Sequence, residues 1–167
     1  MKTLYLMRHA KSSWDDPRAH DFNRALNDRG KHAAPLVAEF MRKKRLHPRV
    51  IVCSPAARTR EPAALVVDAA HLRGSLLRYD ERIYDAILPT LLMVVSEIEP
   101  DAQSALLIGH NPGTAELIRF LTGEKLHVPT AALAKVALDV EAWRDACEGC
   151  GRLEFFITPK ELEDTTA

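Results

Sequence analysis

The sequence predicts an α/β domain built on a largely parallel sheet. Two observations carry that expectation. Short apolar, strand-like runs alternate with longer helix-like segments along most of the chain. The 167 residues, 47% apolar and 28% charged, contain no repeat, low-complexity tract or linker, so one domain over 1–167 is expected, with enough chain for a real core.

The elements follow in order. Thr3 to Met7 reads as the first strand. Asn27 is placed to cap a helix running to about Lys44, with Ala33, Leu36, Val37, Phe40 and Met41 on its buried side. Val50 to Cys53 is a short buried strand, and a helix follows Pro55 through Arg58 and Thr59 to about Ala70. Pro35 and Pro62 fall inside these two helices, which predicts a kink or a later start for each. Leu76 to Tyr79 is a short strand, and Thr90 to Ile98 a helix with Pro89 at its start and Pro100 beyond its end. Ala105 to Ile108 is another buried strand, and Pro112 to Leu121 a helix ended by Gly123. Ala132 to Asp139 and Leu153 to Thr158 read as an antiparallel pair at one side of the sheet, with Gly149 and Gly151 in their connection.

Composition narrows the function. Twenty-three basic residues balance 23 acidic ones, which argues against a nucleic-acid or membrane-surface partner. The first apolar run is stopped by Arg8-His9 and is too short for a signal core or a membrane span, so a cytoplasmic protein is expected. Cys53, Cys147 and Cys150 do not make a disulfide framework.

Three of the strands run directly into polar clusters. Leu4-Tyr5-Leu6-Met7 leads to Arg8-His9, Val50-Ile51-Val52-Cys53 to Ser54-Pro55-Ala56-Ala57-Arg58, and Ala105-Leu106-Leu107-Ile108 to Gly109-His110-Asn111-Pro112-Gly113. In an open α/β sheet, ligands bind beyond the carboxyl ends of parallel strands. If these strands are neighbours, Arg8, His9, Arg58 and His110 meet at one edge. Two arginines and two histidines suit a multi-oxygen anion, because the guanidinium fork matches phosphate. Arg58 would also sit in the first turn of its helix, where free N–H groups favour an anion. No Gly-x-x-x-x-Gly-Lys loop is present, which excludes a nucleotide P-loop.

On these residues the chain resembles the histidine phosphatase superfamily, and within it the small SixA-type phosphohistidine phosphatases. The resemblance is carried by Leu6-Met7-Arg8-His9-Ala10-Lys11, Arg24-Ala25-Leu26 with Gly30, Ser54-Pro55-Ala56-Ala57-Arg58-Thr59 and Gly109-His110-Asn111-Pro112-Gly113. Pro129-Thr130-Ala131-Ala132 and the later Trp143 add to it. It implies a three-layer, phosphoglycerate mutase-like fold with helices on both faces of the sheet. It also implies a covalent phosphohistidine on His9, with Arg8, Arg58 and a cationic His110 on the phosphoryl oxygens. Arg24 and Asn111 are candidate substrate contacts, Glu81 is a candidate general acid, and Asp85 is a weaker one. Ala10 stands where many relatives have Gly, and Ala25 where many have Pro.

The implied substrate is phosphohistidine on a protein, with a small phosphomonoester or non-catalytic phosphohistidine binding as the alternatives. A monomer without cofactor or metal is expected. Cys147-Glu148-Gly149-Cys150 reads as a hairpin connection, because no second Cys pair completes a zinc site. His32, His47 and His71 read as surface residues, and Arg42-Lys43-Lys44-Arg45 as a solvated helix end.

Overall fold

The computed structural model describes residues 1–13, 20–69, 71–72 and 77–166. Its centre is a six-stranded sheet made of β1 (Lys2–Arg8), β2 (Val50–Cys53), β3 (Leu77–Tyr79), β4 (Ser104–Gly109), β5 (Leu133–Leu138) and β6 (Gly151–Ile157). The strand order is β3-β2-β4-β1-β5-β6. β1, β2, β3 and β4 are mutually parallel, β5 runs antiparallel to β1, and β6 antiparallel to β5. The carboxyl ends of β1, β2, β4 and β6 therefore lie along one edge.

Alternation along β1 explains the layers, because successive side chains of a strand face opposite sides. Leu4 and Leu6 join the core under α3 (Leu88–Ser96) and α4 (Gly113–Thr122). Tyr5 and Met7 join the core under α1 (Asp28–Lys43), α2 (Ala57–Ala69) and α5 (Pro159–Thr166). A sheet covered on both faces has to be apolar on both, and all four residues of β2 are buried.

Most elements fall within a few residues of expectation. Asn27 caps α1, its Oδ1 accepting from the Gly30 N–H at 2.9 Å. α1 starts at Asp28 and α2 at Ala57, so neither internal proline delays its helix. Lys31, whose carbonyl loses its partner to Pro35, is exposed to water. The buried stripe of α1 is rotated from the expected one. Ala34, Val37, Ala38 and Met41 are buried, while Ala33, Leu36 and Phe40 flank them half-buried. Ala70 and Leu76 lie outside the described residues.

Two differences are larger. Gly151 begins β6 instead of lying in the connection, and a Cβ there would approach Val136 Cγ1 to 2.8 Å. α5 was not expected at all. It opens with a reciprocal cap: the Thr158 N–H donates to Glu161 Oε2 at 2.8 Å, and the Glu161 N–H to Thr158 Oγ1 at 3.3 Å. With Pro159 at its first position, this is the capping box that Thr158-Pro159-Lys160-Glu161 encodes.

The far edge of the sheet holds a buried amine. Lys2 Nζ donates to the carbonyls of Pro100 and Ala102, each at 2.9 Å, and lies 5.6 Å from the centre of the buried Trp143 ring. Trp143 Nε1–H donates to the same Ala102 carbonyl at 2.9 Å.

Candidate active site

The parallel register sets the three polar clusters side by side. Arg8 is level with Gly109 across β1 and β4, and Cys53 with Ile108 across β2 and β4. Beyond the strands the ladder continues, His9 N–H donating to Gly109 O at 2.9 Å and Ser54 N–H to Ile108 O at 3.0 Å. The His9 carbonyl accepts from the Ala131 N–H at 2.8 Å. Ala131 holds a left-handed backbone (φ 61) to make that contact. His9 is thus fixed by β1, β4 and the residue leading into β5.

The segment after His9 is held as closely. The Asn27 N–H donates to Lys11 O at 3.0 Å, and a Cβ on Gly30 would lie only 2.1 Å from that oxygen. Glycine at 30 is required by this close approach, which brings the start of α1 against the loop. Ala10 is fully buried and its φ is not positive, so its methyl group is accommodated where glycine was the alternative.

The structure brings His9, His110, Arg8, Arg58 and Arg24 to this edge. The rings of His9 and His110 lie 5.3 Å apart, centre to centre. His9 Nδ1 lies 2.7 Å from the Ala10 carbonyl, which can only accept, so Nδ1 carries the proton and Nε2 presents its lone pair. Burial pushes the His9 imidazole down to about 4; its bond to Ala10 opposes this, and Arg8, Arg58 and Arg24 reinforce it. His110 Nε2 is 2.8 Å from the hydroxyl of the fully buried Ser54. Burial, Arg58, His9 and Arg8 push His110 down to about 3 against the opposing charge of Asp21. Without a bound anion both rings are therefore neutral at neutral pH; the cationic His110 expected from the sequence belongs to the site with a phosphoryl group beside it.

Asp21 organises the arginines. Its carboxylate accepts from Arg58 Nη2 at 3.0 Å and from the Tyr84 hydroxyl at 2.6 Å, and lies 3.3 Å from Arg24 Nε. Its backbone carbonyl takes Arg58 Nη1 at 2.6 Å. Partial burial pushes the Asp21 carboxyl up, but the bonds from Tyr84 and Arg58 outweigh this and hold it below the usual carboxylate range. Tyr84 also stands edge-on to His110, with ring centres 5.4 Å apart. Asp21 and Tyr84 were not singled out in the sequence. The only local signal is an Asp three residues before Arg24, which is too common to carry weight.

The remaining candidates are placed as follows. Arg8 Nη1 donates to Val128 O at 3.0 Å, and Asn111 Nδ2 to the same oxygen at 2.9 Å. Asn111 Oδ1 accepts from the Ala115 N–H at 3.3 Å, so both ends of its amide hold backbone. Glu81 lies exposed in a one-turn helix, Glu81–Ile83, and makes no hydrogen bond to His9, His110, Arg8 or Arg58. Asp85 is exposed in a left-handed conformation (φ 51). Buried Cys53, its thiol pushed up to about 12 by desolvation, is no nucleophile. Cys147 and Cys150 are free thiols in the β5–β6 connection. His32, His47 and His71 are exposed, as is the run 42–45.

Among the described residues, Arg8 Nε, Arg58 Nε and His110 Nδ1 are buried without a hydrogen-bond partner. Buried polar atoms without partners are costly and uncommon, and three at one strand edge beside the His9 imidazole mark this edge as a candidate site for an anion.

The comparisons with known proteins agree with this class. The model of the histidine phosphatase superfamily (branch 1) matches residues 4–84. An uncharacterised protein of Mycobacterium tuberculosis H37Rv is 30% identical over 166 residues, covering 92% of this chain and all of the relative. The crystal structure of a candidate phosphohistidine phosphatase SixA from Agrobacterium tumefaciens superposes with a TM-score of 0.82 at 30% identity, over 95% of this chain and 98% of the other. A candidate SixA from Nakamurella multipartitia gives 0.83 at 26% identity, over 95% and 96%. This chain belongs to the histidine phosphatase superfamily and, within it, to the SixA type. The family and the site together support phosphatase activity.

Proposed function

We propose that the chain is a cytoplasmic phosphatase that removes phosphate from phosphohistidine of a protein by way of a phosphoryl group carried on His9. The observation that carries this is the Nδ1–H bond of His9 to Ala10, which fixes the tautomer and leaves the lone pair on Nε2 of a ring that feels Arg8, Arg58 and Arg24. In the first step Nε2 attacks phosphorus, the phosphorus–nitrogen bond to the substrate imidazole breaks, and that ring leaves as neutral imidazole, keeping the proton its other nitrogen already carried. In the second step water attacks the His9 phosphoramidate, and inorganic phosphate departs as Nε2 recovers its lone pair.

Arg8 and Arg58 offer their unpartnered Nε–H groups, and a protonated His110 its Nδ1–H, to the non-bridging oxygens as charge spreads over them. A phosphate dianion would favour a proton on His110, which burial in the first place and the neighbouring guanidiniums in the second suppress. Arg24, tied to Asp21, is a further clamp on the anion.

The choice of phosphohistidine rests on the carboxylates. Asp21 is held ionised, and Glu81 is exposed without a bond to the cluster. Neither is a ready proton donor for an alkoxide, and an imidazole leaving group needs far less acid assistance. The SixA neighbours carry the same substrate in their names.

The test is rapid-quench trapping of labelled phosphate on wild type and His9→Ala, with a phosphohistidine protein and sugar phosphates as substrates. An acid-labile label on wild type, absent from the variant, is expected, with the phosphohistidine protein turned over faster. Arg58→Ala should lower turnover by about 10²–10³. Much faster sugar-phosphate hydrolysis, or an acid-stable label elsewhere, refutes the proposal.

A further inference from the structure

Beside the His9 site lies a groove of about 670 Å³ that the chemistry above does not use. It is formed by the start of α1, residues 127–130 and the start of α5. Its walls carry Lys11, Arg29, His127 and Lys160, all exposed. Among the described residues only one carboxylate lines it, that of Glu163, which lies 3.0 Å from Nε2 of His32.

Two backbone links join the groove to the nucleophile. Lys11 is two residues after His9. Thr130 precedes Ala131, whose N–H holds the His9 carbonyl. β6 runs parallel to β1 two strands away, so the start of α5 stands at the same edge of the sheet, roughly 10 Å along it.

The geometry points to this groove as the docking site for an acidic segment of the phosphorylated protein, lying about three residues of extended chain from the phosphohistidine. The inference rests on the phosphohistidine reading above and adds a recognition element to it. The argument is charge complementarity. The groove has an excess of cations, and none of the groups assigned to the phosphate, Arg8, His9, Arg58 and His110, lines it. Net charge over the whole chain is zero, so a cationic groove is a local arrangement and not the consequence of a basic protein.

The test compares two phosphohistidine peptides of equal length. One carries Glu at the second to fourth positions on both sides of the phosphohistidine, and the other carries Gln there. Para-nitrophenyl phosphate serves as a substrate with no chain attached. Wild type is expected to prefer the acidic peptide by about tenfold in kcat/KM at low salt. The preference should fade at high salt, because exposed charges are screened. The double exchange Arg29→Ala and Lys160→Ala should bring it close to unity while para-nitrophenyl phosphate hydrolysis stays unchanged.

Equal turnover of the two peptides by wild type overturns the docking inference and leaves the phosphohistidine reading standing. Hydrolysis of para-nitrophenyl phosphate with neither peptide cleaved overturns both. A double variant that keeps the acidic preference overturns the assignment of the groove.

Discussion

The two buried histidines make a quantitative prediction about acid stability. In the unfolded chain each imidazole takes up a proton near its ordinary value of about 6.5. In the folded site His9 does so only at about 4 and His110 at about 3, burial being the main cause for each. The sign follows from linkage: between those values the unfolded state binds more protons, so stability falls as pH falls. The penalty is absent well above 6.5, grows below it, and levels off only near the folded values. Between pH 7 and pH 5 it amounts to about 2 kcal/mol for each histidine. Urea unfolding of wild type and His9→Asn at the two pH values isolates one contribution. The variant should lose about 2 kcal/mol less than wild type on going from pH 7 to pH 5. An NMR titration of the His9 ring gives the same quantity directly. Equal losses in the two proteins, or a His9 ring titrating near 6.5, would show that burial does not hold His9 neutral.

Asp21→Asn should uncouple chemistry from anion affinity. It removes a charged partner of Arg58, a loss of about 1.5 kcal/mol or roughly tenfold in kcat. The site gains net positive charge at the same time, so inorganic phosphate should inhibit more strongly; weaker inhibition would contradict the role given to Asp21. Lys2→Met should lower stability by about 1–3 kcal/mol, because the Pro100 carbonyl loses this donor and Ala102 keeps only Trp143. Lys2 lies at the opposite end of β1 from His9, so thermal unfolding should shift while kcat does not; a loss of activity in the folded variant would argue against that separation.

The parts of the fold legible in the sequence were those encoded locally. Continuous apolar runs marked the central strands, Asn27 marked the start of α1, and Gly123 (φ 79) the end of α4. α5 is equally local, its start encoded in Thr158-Pro159-Lys160-Glu161, but the apolar run of β6 directly before it dominates the local pattern. The stripe of α1 slipped because Ala34 and Ala38 are small and carry little weight in a hydrophobic pattern. They are buried because the sheet and α2 come close there, which no local pattern records. The site divides in the same way. His9, Arg8, Arg58 and His110 follow strands and come together through register alone. Asp21 and Tyr84 reach the cluster through long-range side-chain bonds, 37 and 63 residues apart in sequence, and nothing in their surroundings announces it.

Asp21 also bears on how a neutral His9, the proposed nucleophile, stands beside so much positive charge. Three guanidiniums meet one carboxylate, which aligns two of them without cancelling the excess. Arginine does not give up its proton at any ordinary pH, so the positive charge is stored on groups that cannot lose it. The imidazoles are the groups that yield, and the excess charge that helps keep them unprotonated is what attracts a phosphate dianion. Arrival of that dianion would reverse the balance at His110, where Nδ1 is already buried without a partner. In the proposed reaction His9 escapes the same reversal, because its Nδ1 proton is committed to Ala10, which leaves Nε2 as the nitrogen with the lone pair. The two rings therefore differ in role through their second nitrogen, one bonded to a backbone carbonyl and the other left for the anion.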